Sequence, residues 1–211
     1  MWLISYPRSG NTWLRLFFET YTGQPSISEV GADGPLIHAQ GKPCVYKLHH
    51  FDQSKMKADR GGKAIVILRN PLDVFVSNLK YKGIAEMEDR FLDKMWENYE
   101  QVLRDFHNYK GEKVLIYYED LLDTFEKAII PALRLMELKL DKDKIEAFTN
   151  DNAENYKTVN RWFKQYVNPN RLSNDMKFED RRNTLSEQHI RMIQNKIKES
   201  PYTETLERYL C

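Results

Sequence analysis

The sequence predicts an α/β fold in three layers, with a central, mostly parallel sheet flanked by helices. Three observations carry that expectation. Four short apolar runs with strand character lie around residues 2–6, 44–50, 63–68 and 113–118, and segments with helical periodicity separate them. One run, "KAIVIL", is apolar almost throughout, as a strand buried on both faces requires. The third observation is the order, because strands that alternate with helices are joined by crossovers and so become neighbours in a parallel sheet. Ligands of such sheets bind beyond the carboxyl ends of the strands.

The chain opens on "MWLISYPRSGNTWLRLFFETY", in which Trp2, Leu3, Ile4 and Tyr6 read as a buried strand. From Trp13 the spacing changes to helical, with Trp13, Phe17 and Tyr21 on one face and Leu14 and Phe18 beside it. Between them Pro7 to Thr12 turn the chain, a reversal that Gly10 permits and that Ser9, Asn11 or Thr12 caps. A strand entering a helix this way gathers unpaired N–H groups at the positive end of the helix dipole, which makes a socket for an anion.

Residues 23–43, rich in glycine and proline, read as an irregular excursion on the acceptor side of any site. "CVYKLHH" is the second strand and "KAIVILRNP" the third, after which Pro71 opens a helix through "LDVFVSNLKY". Residues 89–109 form an amphipathic helix on Phe91, Met95, Tyr99, Val102, Leu103 and Phe106. "KVLIYYED" is the fourth strand, "LLDTFEKAIIPALRLMEL" is helical with a break expected near Pro131, and "DKDKIEAF" is a short helix. From 150 to 183 the pattern dissolves into a polar, basic stretch with scattered aromatics, expected to act as a lid. Thr184, with Glu187 completing a capping box, opens a last helix carrying Ile190, Ile193 and Ile197. The whole chain, 1–211, reads as a single domain.

The charges nearly cancel, 32 basic against 31 acidic residues, so no global field recruits nucleic acid or an anionic membrane. Any anion site must therefore be local. Two cysteines, Cys44 and Cys211, supply neither a disulfide framework nor metal-ligand spacing, which suits a reducing, cytoplasmic setting. No apolar run reaches the length of a membrane span, and the first residues lack the layout of a secretory signal. Nothing in the sequence speaks to oligomeric state.

The first turn is not a Walker A loop, because "GxxxxGK[ST]" is absent and Arg8 precedes the turn's glycine. Read alone, it is equally a plain strand-to-helix connection with a surface arginine. A second cluster, "VILRNPLDVFVSN", places Arg69 at the end of a buried strand and Ser77 in the helix that follows. Two arginines at the ends of two parallel strands suit a ligand with two separated anionic groups.

On "SYPRSGNTW", "VILRNPLDVFVSN" and "VLIYYEDLLDTFEKAIIPAL", in that order, the chain resembles the sulfotransferases that use 3′-phosphoadenosine 5′-phosphosulfate (PAPS). The three segments span roughly the first two thirds of the chain, and their joint occurrence is far more specific than any one of them. The resemblance implies a P-loop-NTPase-like sulfotransferase fold, PAPS as donor, adenosine 3′,5′-bisphosphate (PAP) as product, and no metal. It assigns the 5′-phosphosulfate to Arg8, Ser9, Gly10, Asn11, Thr12 and Trp13, and the 3′-phosphate to Arg69 and Ser77. Many members have lysine where Arg8 stands; arginine keeps the cation and adds a planar fork. Trp13 would stack on adenine, and as a residue of the first helix it equally suits the core. Tyr118 falls at an adenine contact, with Tyr117 as the adjacent candidate.

In "YKLHHFD", Lys47, Leu48 and His49 match the family's lysine, any residue, histidine arrangement. The resemblance makes His49 the general base, with Lys47 and Arg8 stabilising the transferring group and the leaving oxygen; His50 takes that role if the strand ends early. The family's carboxyl-terminal Arg-Lys-Gly stretch is missing, and "MKFEDRRNTLSEQ" offers Arg181 and Arg182 either as substitutes or as solvated loop charges. The expected activity is sulfuryl transfer to a hydroxyl or amine of a small-molecule or carbohydrate acceptor. A catalytically inactive nucleotide-binding module and a kinase-like phosphoryl transferase are the competing readings.

Overall fold

Five strands, β1 (Trp2–Ser5), β2 (Ser26–Ser28), β3 (Val45–Leu48), β4 (Ala64–Leu68) and β5 (Lys113–Tyr117), form one sheet in the order β2-β3-β1-β4-β5. Every pairing among them is parallel. The computed structural model describes residues 1–28, 41–51, 62–84, 87–166 and 185–210. Register brings the carboxyl ends level: Ile4 lies opposite Leu48, Ser5 opposite Ile67, and Leu68 opposite Tyr117. The residues that follow β1, β3, β4 and β5 therefore emerge along one edge.

Strand alternation sorts the core into two layers. Trp2, Ile4, Ala64, Val66 and Leu68 face one side, where they meet helices α2 (Pro71–Lys82) and α3 (Asp89–Asn108) through Phe75, Leu79, Trp96 and Tyr99. Leu3, Ile65, Ile67 and Ile116 face the other and meet α1 (Asn11–Thr22). That second layer also takes α4 (Tyr118–Asp123), α5 (Phe125–Leu135) and α6 (Lys142–Asn150). Its centre is aromatic: Phe17 stands edge-on to Phe125 and Phe148, with centroids 4.9 and 5.1 Å away. Burial of each such ring contributes about 2–3 kcal/mol, and these contacts fix α1 against the sheet.

The expected fold class holds, and several local expectations do not. β2 lies inside the stretch read as irregular: its two serines are buried, and Ser26 is held by Arg15 and Glu19 of α1 rather than by an apolar pattern. Residues 152–166, read as dissolved structure, form helix α7 (Asn152–Tyr166). The break expected at Pro131 falls instead at Thr124, between α4 and α5, and α5 runs through the proline. The last long helix, α8 (Glu187–Glu199), is capped by Ser186, whose hydroxyl accepts from the His189 N–H at 3.2 Å; Thr184 lies outside the described residues. Beyond it α9 (Thr203–Leu206) and a 3-10 turn (Glu207–Tyr209) return to the sheet edge, where Arg208 grips Asp120 through two hydrogen bonds of 3.1 and 2.6 Å.

Candidate functional site

The turn after β1 is held in an unusual backbone conformation. Arg8 has φ 74° and Gly10 φ 89°, both left-handed, and Gly10 rather than a serine, asparagine or threonine occupies the N-cap of α1. No side chain caps that helix. Gly10, Asn11 and Thr12 line a cavity of about 1550 Å³, so the helix start opens into it. Gly10 is required twice over, by its φ and because a Cβ there would collide with the Tyr118 ring. Ser9 is fully buried, and its hydroxyl has no hydrogen-bond partner among the described residues. A buried hydroxyl without a partner beside uncapped N–H groups is the donor set that an anion socket requires. Asn11 serves the scaffold, donating from Nδ2 to the Ser5 hydroxyl at 2.9 Å.

Arg69 leaves β4 with 4% of its surface exposed and lies against the same turn, donating from Nη1 to the Arg8 carbonyl at 3.0 Å. Its backbone carbonyl accepts from the Tyr99 hydroxyl at 2.8 Å. The next N–H, that of Asn70, donates to Glu119 at 2.9 Å, and Glu119 in turn accepts from the Tyr209 hydroxyl at 2.9 Å. Ser77, from α2, accepts from Arg8 Nε at 3.2 Å. Arg8, Ser77 and Arg69 are thus brought into one cluster by β1, α2 and β4.

Tyr118 is the first residue of α4, and its ring lies under the Arg69 guanidinium, 4.4 Å from the centroid. Tyr117, the last of β5, points elsewhere: its hydroxyl donates to the Thr205 carbonyl at 3.1 Å, and Arg208 covers its ring. The turn from strand to helix between the two tyrosines separates them, and Tyr118 is the one on the cavity. Trp13 is a core aromatic that also reaches the cavity. It packs on Phe125 and Phe148, with centroids at 5.1 and 5.4 Å, and it lines the cavity.

On the other side of β1, Lys47 and His49 come off β3. His49 Nδ1 lies 3.1 Å from the Ser5 carbonyl oxygen, an acceptor only, so Nδ1 carries the ring proton and donates it. The lone pair then sits on Nε2, which receives a hydrogen bond from the Lys47 ammonium. His50, also on the cavity, makes no such backbone contact among those described; its neighbour is the Asp105 carboxylate. Arg181 and Arg182 lie outside the described residues.

Three polar residues of α3 on the cavity wall, Asn98, Gln101 and Asp105, escaped the sequence reading. Their spacing of three and four residues was the available signal, since it puts one polar stripe along a helix whose other face is buried. Gln101 Nε2 donates to Asp105 at 2.7 Å. Burial pushes the Asp105 carboxyl up from its usual range, against hydrogen bonds from Gln101 and the Phe51 N–H. Beneath the cavity Tyr6 is buried, which pushes its hydroxyl up to about 12. Arg15 and Glu19, also missed, clamp the edge strand: Arg15 Nε donates to the Ser26 hydroxyl at 2.6 Å, and Glu19 accepts from the Ser26 N–H at 3.0 Å. Among the described residues no group of three or more His, Cys, Asp or Glu side chains is placed to hold a metal ion, and no helix is long and apolar enough to cross a membrane.

A family model described as Sulfotransferase domain matches residues 28–207. A WSCD family member of Aedes aegypti is 24% identical over 165 residues, covering 67% of this chain and 51% of its own length. The chain therefore spans about half the length of that curated relative. Among solved structures, mouse sulfotransferase SULT7A1 complexed with PAP superposes with a TM-score of 0.67 at 19% identity, over 100% of this chain and 86% of that one. Retinol dehydratase in complex with androsterone and PAP gives 0.63 at 14% identity, over 94% and 79%. These structures share the fold.

Proposed function

We propose, from the premise that the chain belongs to the sulfotransferase domain family, that it moves a sulfuryl group from PAPS to a hydroxyl, or an amine, of a second substrate. The observation that carries this reading is the meeting, at one sheet edge, of the uncapped α1 start with an oriented imidazole on the next strand. PAP is the nucleotide bound to both solved relatives named above.

In this reading Gly10, Asn11 and Thr12 receive the 5′ anion on backbone N–H groups, and Ser9 receives it on its buried hydroxyl. Arg69 and Ser77 hold the 3′-phosphate, and Tyr118 with Trp13 borders the base. Neighbouring parallel strands lie about 5 Å apart, so cations on β1 and β4 span one nucleotide rather than two ligands. Among the described residues the cavity wall carries Arg8, Arg15, Lys47, Arg69 and Lys82 against one carboxylate, Asp105, which suits a polyanionic donor.

His49 Nε2 is the base. It takes the proton of the acceptor hydroxyl as that oxygen bonds to sulfur and the bond from sulfur to the nucleotide phosphate oxygen breaks, leaving PAP. Lys47 gives up its hydrogen bond to Nε2 when the acceptor arrives and turns its charge to the leaving oxygen, together with Arg8. A radiolabelled PAPS donor offered to a panel of hydroxyl and amine acceptors tests the reading. Label appearing in an acceptor supports it, and binding of PAP without transfer to any acceptor would reduce the protein to a nucleotide-binding module.

A further inference from the structure

Resting on the transfer reading above, we propose that the acceptor is a polyhydroxylated, carbohydrate-like molecule, and that Gln101 and Asp105 read its hydroxyl groups. The cleft divides along the sheet order. Arg69 and Tyr118 follow β4 and β5 at one end, whereas His49, His50 and Phe51 follow β3 at the other. Facing that second end is the α3 stripe of Asn98, Gln101 and Asp105. The volume, about 1550 Å³, exceeds what a single small ligand fills, roughly 300–1,000 Å³. Room for a second molecule lies on the His49 side.

Chemistry selects that molecule. Gln101 and Asp105 are half-buried and already oriented: Gln101 Oε1 accepts from Arg104 at 3.0 Å, its Nε2 donates to Asp105, and the Phe51 N–H also donates to Asp105. A carboxylate offers about four acceptor positions and an amide nitrogen two donor hydrogens. After these internal bonds Asp105 keeps acceptor capacity and Gln101 keeps one N–H, an array matched by neighbouring hydroxyls. An apolar acceptor would strip water from the pair and return nothing, which is costly for a charged group. A cationic acceptor is disfavoured because Lys82 shares the wall with Asp105, the one carboxylate among its described residues. Aromatic rings of Tyr81, Tyr156 and Trp162 also border the cleft, and a sugar ring presents an apolar C–H face to such surfaces as well as a hydroxyl rim.

The test uses the intact chain with PAPS and three sets of acceptors: a panel of 4-nitrophenyl glycosides, free 4-nitrophenol, and 17β-estradiol. PAP affinity is measured in parallel by calorimetry. The expected result is turnover of one or more glycosides in preference to the phenol and the steroid. Asp105→Asn then lowers kcat/KM for the glycoside by about tenfold or more, leaving PAP affinity unchanged. Gln101→Ala, a milder change on the same helix, moves in the same direction. Preference for 4-nitrophenol or estradiol, no turnover of any glycoside, or an Asp105→Asn protein with undiminished kcat/KM for the glycoside overturns the proposal. In each of those cases PAP binding with transfer to another acceptor leaves the transferase reading standing; failure to bind PAP removes both.

Discussion

The Ser5 carbonyl oxygen lies 3.1 Å from His49 Nδ1, so the end of β1 sets the tautomer of a histidine on the neighbouring strand. That contact leaves Nε2 as the basic nitrogen. His49→Ala is expected to lower kcat by about 10²–10⁴-fold while PAP affinity, measured by calorimetry, stays near the wild-type value. His50→Ala keeps most of the activity. The reverse ranking would make His50 the base.

Arg69→Ala is expected to weaken PAP binding by about 1.5–3 kcal/mol, the range for a hydrogen bond to a charged group. Arg69→Lys recovers only part of it, because lysine lacks the planar fork through which Arg69 meets the Arg8 carbonyl and, in the proposed reading, a phosphate. Titration of both variants with PAP measures this, and equal affinity for all three proteins would remove Arg69 from the nucleotide site.

Gly10→Ala couples folding to binding. The left-handed backbone alone costs a β-carbon about 1–2 kcal/mol, and the collision with the Tyr118 ring adds to it. The variant is expected to melt at lower temperature and to bind PAP poorly, since Tyr118 must move and Arg69 rests on its ring. Thermal melts with and without PAP separate the two losses.

Three tyrosines give the fold an alkaline limit. Burial raises the hydroxyls of Tyr6, to about 12, and of Tyr99 and Tyr209, while the Tyr209 hydroxyl donates to Glu119. All three are protonated in both folded and unfolded chains below about pH 10, so their contribution is intact there. Above it the unfolded chain releases protons that the folded chain keeps, and stability falls by about 1.4 kcal/mol per pH unit for each group. Denaturant titrations between pH 9 and about 12 should show this slope, and Tyr99→Phe should make it shallower. A flat profile would contradict the burial of these hydroxyls.

The layers and the edge that carries the site were legible because they rest on periodicity: "KAIVIL" and the aromatic face of α1 admit few alternatives. The partition of the tyrosines was not, since alternation along a strand cannot anticipate that the chain turns helical at Tyr118. β2 was hidden because Ser26 is buried against Arg15 and Glu19, polar partners that a hydrophobic pattern does not register. The α3 stripe was hidden for a related reason: Gln101 and Asp105 look like a solvated helix face until the Phe51 N–H and His50 are folded against it.

The most direct test is a calorimetric titration of the chain with PAP in competition with ATP. Saturable PAP binding that ATP displaces only weakly, and that Arg69→Ala impairs, is expected of a site that reads a 3′-phosphate beside an α1 anion socket. Tighter binding of ATP, or PAP binding indifferent to Arg69, would contradict it.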